Sequence, residues 1–333
     1  MKSNQFFEDI LNKYDLGHLR NEPVLLSEDL LYKSYKLDTS SGDYVIKLID
    51  RDFINKKHAI KVLEKENKME DLLSDAGVCA EYQIAFNENK LLEADGYHFC
   101  LAKWFDGLPL SIDDVTQMHC KKAAEQLARI HNIDFKDTEE MPEPFEIDFD
   151  YFVRLCNEMS SPVSKLLNDH LELIKETLSR SNEAIKNTPM IKAVCHNDYD
   201  LKSVLWHNEQ FRIIDLEAVG YNNPFEEILS SALSWSGGDR FCFDEKLFDV
   251  FISTYFNNSR LDLKVNWPSI YDSNTRHLSS LKNDLIDFFN DGISKEEKDT
   301  VLFQLNNDIN MIIYLNRIRE KVLHNKTMNS FNK

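Results

Sequence analysis

Glycine is scarce in this 333-residue chain, with nine in all, and no Gly- or Pro-rich tract or solenoid-length repeat occurs. That excludes collagen-like chains and architectures built on many tight turns. Long apolar runs are missing too: none approaches the roughly 20 residues needed to cross a bilayer. The N-terminal "MKSNQFFEDILNKYDL" has no apolar stretch of signal-peptide length. The six cysteines (79, 100, 120, 156, 195, 242) stand 20 or more residues apart without a C-x-x-C pair. Most lie beside apolar or aromatic residues, as in "HFCLAKWF" and "RFCFDE", which fits buried thiols in a reducing compartment. A cytoplasmic location is expected. Positive charge is also short: 39 Lys+Arg against 57 Asp+Glu give −18. A field of that sign repels nucleic acid and anionic membranes and attracts cationic ligands, so neither of the first two is expected as a partner. No sequence pattern fixes an oligomeric state.

What is present is ordinary for a chain that buries a core: 42% apolar and 29% charged residues. The acidity peaks in "EEMPEPFEID" (139–148), which with Asp150 reads as a solvated loop or one wall of a site for a polycation. Residues 5–15 have the pattern of a short amphipathic helix. "DLLYKSYKLDTSSGDYVIKLID" (29–50) alternates as two strands about a Gly-bearing turn. Residues 56–76 predict a helix with Ile60, Leu63, Met69, Leu72 and Leu73 near one face and Gly77 as its stop. Residues 82–105 predict two or three more strands. Beyond "FDGLPL" (105–110) the pattern turns helical, over 116–133, 150–187 and 301–323. Ala123, Leu127 and Ile130 share one face, as do Leu302, Leu305, Ile309 and Ile312. The boundaries expected are 1–104, a link at 105–110, and 111–333.

The chemistry concentrates in "VCHNDYDLKSVLW" (194–206) and the following "FRIID". Phosphoryl transfer needs a cation for the donor phosphates, oxygen ligands for Mg²⁺, and a carboxylate to orient the attacking hydroxyl. Asp198 on a loop and Asp215 at the end of an apolar strand suit the last two. Lys47 alternates onto the side of Val45 and Ile49, where an amine needs a carboxylate or phosphate partner.

"CHNDYDLKSVLW…IIDLEAVGYNNPFEEI" resembles the catalytic signature of the aminoglycoside phosphotransferase and choline kinase family of small-molecule kinases. That signature runs H-x-D-x-x-x-x-N, then I-D-[WF]-E and N-P or D-P. The resemblance implies an α+β, two-lobed protein-kinase-like fold, with an N-terminal antiparallel sheet plus helix and a larger, mainly helical C-terminal lobe. It implies Asp198 as the catalytic aspartate and Asp215 as a Mg²⁺ ligand. "YVIK" resembles the strand that carries the phosphate-binding lysine, here Lys47, with Glu66 as its helix partner and Glu64 and Glu70 as competitors. "LAKWFDGLPL" resembles the hinge that meets the adenine, at Lys103, Trp104 and Phe105. "AAEQLARIHNID" matches a helix that ends in a histidine, here His131. His131 and His196 read as hydrogen-bonded scaffold, Glu217 as a supporting or purely structural residue. Asp200 reads as a solvated loop residue or a contact for a cationic acceptor. Trp235 reads as core or cleft wall.

The pattern departs from the family twice. Ser203 stands where the family usually has a Mg²⁺-binding asparagine; a serine hydroxyl is a Mg²⁺ oxygen of shorter reach. The segment from Leu25 to Leu37 has no glycine, although phosphate-covering loops use glycine for close backbone approach. The expected activity is ATP–Mg²⁺-dependent transfer to a hydroxyl of a small, cationic molecule, with GTP as an alternative donor. The competing expectation is a kinase-fold protein that binds nucleotide or a small molecule without efficient turnover.

Overall fold

Ser3 opens the first helix by accepting the Phe6 amide with its hydroxyl. The computed structural model describes residues 3–28, 31–134, 148–158, 161–188, 191–261, 264–290, 292 and 294–331. In chain order the elements begin with α1 (Asn4–Lys13), β1 (Val24–Glu28), β2 (Tyr32–Thr39), β3 (Gly42–Ile49), α2 (Arg51–Ile54) and α3 (Ala59–Asp75). Strands β4 (Leu92–Ala94), β5 (Tyr97–Lys103) and β6 (Leu108–Pro109) lead into α4 (Gln117–His131), α5 (Phe149–Glu158) and α6 (Val163–Asn187). Then come β7 (Ala193–Cys195), β8 (Val204–His207), β9 (Gln210–Ile213) and β10 (Gly220–Asn222). Helices α7 (Pro224–Trp235), α8 (Glu245–Asn258), α9 (Trp267–Asp272), α10 (Arg276–Phe288), α11 (Lys295–Leu323) and α12 (Lys326–Ser330) complete the chain. Asp29 and most of the acidic run at 139–148 lie outside the described residues. The chain forms two compact units, Met1–Leu110 with His196–Gly220, and Ser111–Cys195 with Tyr221–Lys333.

The first unit holds an antiparallel five-stranded sheet in the order β1-β2-β3-β5-β4. The β2–β3 turn falls on "TSSG", where Gly42 takes φ +126 and Thr39 closes the loop with a 2.7 Å bond to the Gly42 carbonyl. Helix α1 buries Phe7, Ile10 and Leu11 against Leu37, Ile46, Phe99 and Leu101. Side chains alternate across a strand, so Ile46 and Leu48 face α1 while Val45 and Lys47 face the other side. Helix α3 buries Leu63, Met69 and Leu73 and ends as Gly77 takes φ +68. Ile60, expected on that face, is instead 44% exposed, because its neighbour Ala59 is the residue of the first turn that falls on the packed side with Leu63. The hairpin β8–β9 pairs with β6 through Leu108 and Trp206. It is tied to residues 79–81 by Ile213 N–H to the Cys79 carbonyl (2.9 Å) and Glu81 N–H to the Ile213 carbonyl (2.8 Å).

The second unit is mainly helical. Helix α4 presents Cys120, Ala123, Ala124, Leu127 and Ala128 with no exposure, and its cysteine and alanines are small enough to let neighbouring backbones approach closely. A separate core joins α5, α6, α10 and α11 through Cys156, Leu167, Ile174, Leu281, Leu305 and Ile309. Helix α11 begins six residues before the apolar run at 301, because Ser294 and Glu297 form a reciprocal capping box. Among the described residues no helix is long and apolar enough to cross a membrane.

Candidate active site

The loop 196–203 is organised by its own polar side chains. His196 is fully buried, and its Nε2–H donates to the Ile214 carbonyl at 2.9 Å. Asn197 takes φ +69, a region asparagine tolerates, and donates to the Ala218 carbonyl at 2.8 Å. Asp200 Oδ1 accepts the Lys202 and Ser203 amides and so caps the turn 201–203. Asp198 keeps its carboxylate partly exposed, with Lys202 Nζ 3.0 Å away. That pair is half in solvent and contributes little to stability. Asp200, left open between solvation and recognition, is a buried structural cap.

Asp215, two residues past β9, takes the left-handed region (φ +61) and lines a cavity with Lys47, Glu66, Glu81 and Glu217. Lys47 Nζ donates to Glu217 Oε1 at 2.7 Å. Burial alone would push the Lys47 pKa down and that of Glu217 up. The pair overcomes both, so Lys47 is held above its ordinary value and Glu217 below. Burial raises Asp215; the Lys47 charge opposes this, while Glu217 and Asp198 add to it. Among the described residues, Lys47 is thus the one cation lining a cavity that also presents Glu66, Glu70, Glu81, Asp215 and Glu217.

The expected Lys47–Glu66 ion pair is not the one formed. Glu66 accepts the Tyr32 hydroxyl at 2.9 Å, and burial pushes its pKa up to about 7, with Lys47 exerting only a minor lowering influence. Glu217 is closer to Lys47 and takes the amine. Of the competitors, Glu70 is engaged by the Gln83 amide (2.6 Å) and Lys90 (3.1 Å), and Glu64 is exposed. Because the folded Glu66 carboxyl titrates above its unfolded counterpart, its stabilising contribution is full at low pH and lost as pH rises toward about 7. Glu66→Gln should therefore match wild type in thermal denaturation near pH 5 and become more stable than it near pH 8. A pH-independent difference would show that Glu66 is ionised throughout.

Ser203 is fully buried, and its hydroxyl donates to the Asp198 carbonyl at 2.6 Å. The side chain is turned onto its own loop and braces the backbone of Asp198. The cavity lining runs along β5 as far as Ala102. Lys103, Trp104 and Phe105 follow beyond it. The Trp104 amide bonds the Asp43 carbonyl (3.0 Å), Lys36 lies 4.4 Å from the Trp104 ring, and Arg212 lies 5.3 Å from the Phe105 ring. Sequence reasoning missed Glu217 as the lysine partner, and Tyr32 and Glu81 altogether. Only the acidic residue two past Asp215 was available as a signal. In the second unit, His131 bonds Glu227 (2.8 Å) and Tyr255 (2.7 Å), as a packed scaffold residue does. Cys195 lies beside them in a trio of metal-ligand type, but both imidazole nitrogens are already engaged.

No curated protein matches the chain. Its fold is that of spectinomycin phosphotransferase APH(9)-Ia in complex with ADP and spectinomycin (TM-score 0.70, 14% identity, covering 95% of this chain and 99% of that one). Amicoumacin kinase hAmiN in complex with AMP-PNP and Ca²⁺ aligns with TM-score 0.57 at 12% identity, over 91% and 92% of the two chains. An ethanolamine kinase of Plasmodium vivax aligns with TM-score 0.53 at 14% identity, over 94% and 95%. Residues 25–260 match the profile of the phosphotransferase enzyme family. With that match over most of its length and the protein-kinase-like fold of small-molecule kinases, the chain belongs to the phosphotransferase enzyme family.

Proposed function

We propose that this phosphotransferase moves the γ-phosphoryl group of ATP to a hydroxyl of a small, cationic molecule in the cytoplasm. The observation that carries the reading is the convergence of Lys47, Asp215 and Glu217 on one cavity. Nucleotides held by the related folds, ADP and AMP-PNP, favour a nucleoside triphosphate donor. Residues 1–104 serve as the donor lobe, 105–110 as hinge with Lys103, Trp104 and Phe105 near the base, and 111–333 as the helical acceptor lobe. The net charge of −18 favours a cationic acceptor.

In this reading Lys47 draws the donor phosphates by charge and gives up Glu217 to do so. Asp215 and Glu217 offer hard carboxylate oxygens of the kind Mg²⁺ takes, and the ion would neutralise charge on the transferred group. Asp198 accepts a hydrogen bond from the acceptor hydroxyl and aligns it for attack. Ser203 holds the Asp198 backbone in place. The test is nucleotide consumption over a panel of aminoglycosides, amino alcohols and neutral sugars, with ATP and GTP as donors. Absence of any nucleotide-induced stabilisation would sink the reading.

A second reading, nucleotide binding without turnover, draws on Ser203 in place of the family's asparagine. If Ser203 is a brace, Ser203→Asn crowds a fully buried site and should lower both melting temperature and turnover. Increased turnover would instead mark the serine as a defect in metal binding.

A further inference from the structure

Lys202 is the only lysine or arginine in the loop 196–203, and its ammonium stands against two carboxylates that differ in freedom. Its Nζ lies 3.0 Å from Asp198 Oδ2 and 3.7 Å from Asp200 Oδ2. The Asp200 side chain is 8% exposed and is fixed through Oδ1, which accepts the Lys202 and Ser203 amides. The Asp198 carboxylate is 34% exposed and open to an incoming group. Lys202 itself sits on the turn 201–203 that Asp200 caps, so the ammonium and its buried anchor belong to one short segment.

With the Lys202 side chain 54% exposed, the arrangement does little for folding. Its consequence is electrostatic and lies at the reaction. Asp198 meets the acceptor hydroxyl as an anion, and the group moving onto that hydroxyl is an anion too. Two like charges converging on one oxygen repel each other unless a cation stands between them. The Asp198 charge already acts on Asp215, which lines the donor cavity, so the two carboxylates are electrostatic neighbours. Lys47 is bonded to Glu217 within that cavity. On the Asp198 side, the ammonium in place is that of Lys202.

We propose that Lys202 is a further catalytic residue, whose ammonium passes from Asp198 to an oxygen of the phosphoryl group in transit while Asp200 anchors it. The inference rests on the phosphoryl-transfer reading above. In that step the acceptor oxygen bonds to the γ-phosphorus as the bond from that phosphorus to the β–γ bridging oxygen breaks. ADP leaves with the electron pair, and the hydroxyl proton passes to Asp198. Lys202 keeps its own protons throughout. An ammonium has three donors, so it can face Asp200 with one and the phosphoryl oxygen with another. Such a charge-assisted bond, strongest where negative charge gathers, favours the transferring group over bound ADP.

Calorimetric titration of the full chain with ADP and Mg²⁺, with and without fluoroaluminate, tests this before any acceptor is known, because fluoroaluminate beside ADP imitates the phosphoryl group in transit. Wild type should bind ADP with fluoroaluminate at least about tenfold more tightly than ADP alone. Lys202→Met should bind ADP as wild type does and lose most of that gain. Lys202→Arg, which keeps a cation, should retain part of it. With an acceptor that turns over, Lys202→Met should lower kcat roughly 10²-fold and leave the acceptor KM nearly unchanged. An undiminished fluoroaluminate gain in Lys202→Met, no gain in wild type, or equal losses in the Met and Arg variants would each overturn the proposal. Loss of ADP binding by Lys202→Met would also overturn it, since the lysine would then support the fold. ADP binding by wild type with any of these results leaves the phosphoryl-transfer reading standing. A wild type that binds no ADP removes that reading and this one together.

Discussion

Asp198→Asn should lose turnover by roughly 10²–10⁴-fold, the range for removing a positioned acid–base group, while keeping its nucleotide-induced thermal shift. The reasoning is local. The Asp198 backbone is fixed by Ser203 through a 2.6 Å bond and by the Asp200-capped turn, so the amide replacement meets the same scaffold. The partner it loses, Lys202, is half in solvent, so folding should change by less than about 1 kcal/mol. What disappears is an oxygen able to accept the acceptor's proton while carrying negative charge. The readout is kcat for nucleotide consumption alongside melting temperature with and without nucleotide. Full activity would remove Asp198 from the chemistry. Loss of the nucleotide shift would mean that the loop, rather than the reaction, had been damaged.

Lys47→Met should abolish the nucleotide-induced shift and destabilise the chain. Removing one member of a buried pair costs about 3–5 kcal/mol because the other charge is stranded. Here the two side chains remain 23% and 29% exposed. Solvent screening brings the expected loss to about 2 kcal/mol, or a few degrees in melting temperature. The pH dependence carries a second signature. In wild type the Glu217 pKa is lowered, so its contribution is present at neutral pH and lost as pH falls below the ordinary carboxylate range. Without Lys47, burial raises that pKa, and the sign reverses: the deficit should be small near pH 5 and grow toward pH 8. Lys47→Met with Glu217→Gln should recover most of the stability but none of the nucleotide response. A double variant no more stable than the single would show that the stranded carboxylate is not the cause. A retained nucleotide shift would place the donor phosphates elsewhere.

Local rules made much of the architecture readable. Period-2 alternation about "DTSSGD" located β2 and β3, and the same alternation put Lys47 opposite the Ile46 face. The Leu63–Met69–Leu73 stripe and Gly77 located α3, though not which residue of its first turn would pack: Ala59 is buried and Ile60 lies in solvent. In α11 the apolar stripe began too late, because the helix is started by a capping box whose residues bury nothing.

The candidate site divides the same way. Asp198 and Asp215 could be singled out because both stand in a short contiguous motif. Lys47's partner was not: Glu66 and Glu217 are both carboxylates at compatible positions, and Glu217 lies 170 residues away in sequence. Ser203 was legible as a departure but not as a brace, since its hydroxyl's partner depends on how the turn at 200–203 folds back. The sequence by itself determined most of the elements and the family, and nominated Asp198 for the chemistry, because these depend on spacing within one segment. Only the tertiary structure decided which carboxylate holds Lys47 and that Glu66 is buried against the Tyr32 hydroxyl instead. Those outcomes follow from distance and burial, and the chain does not set either until distant segments pack together.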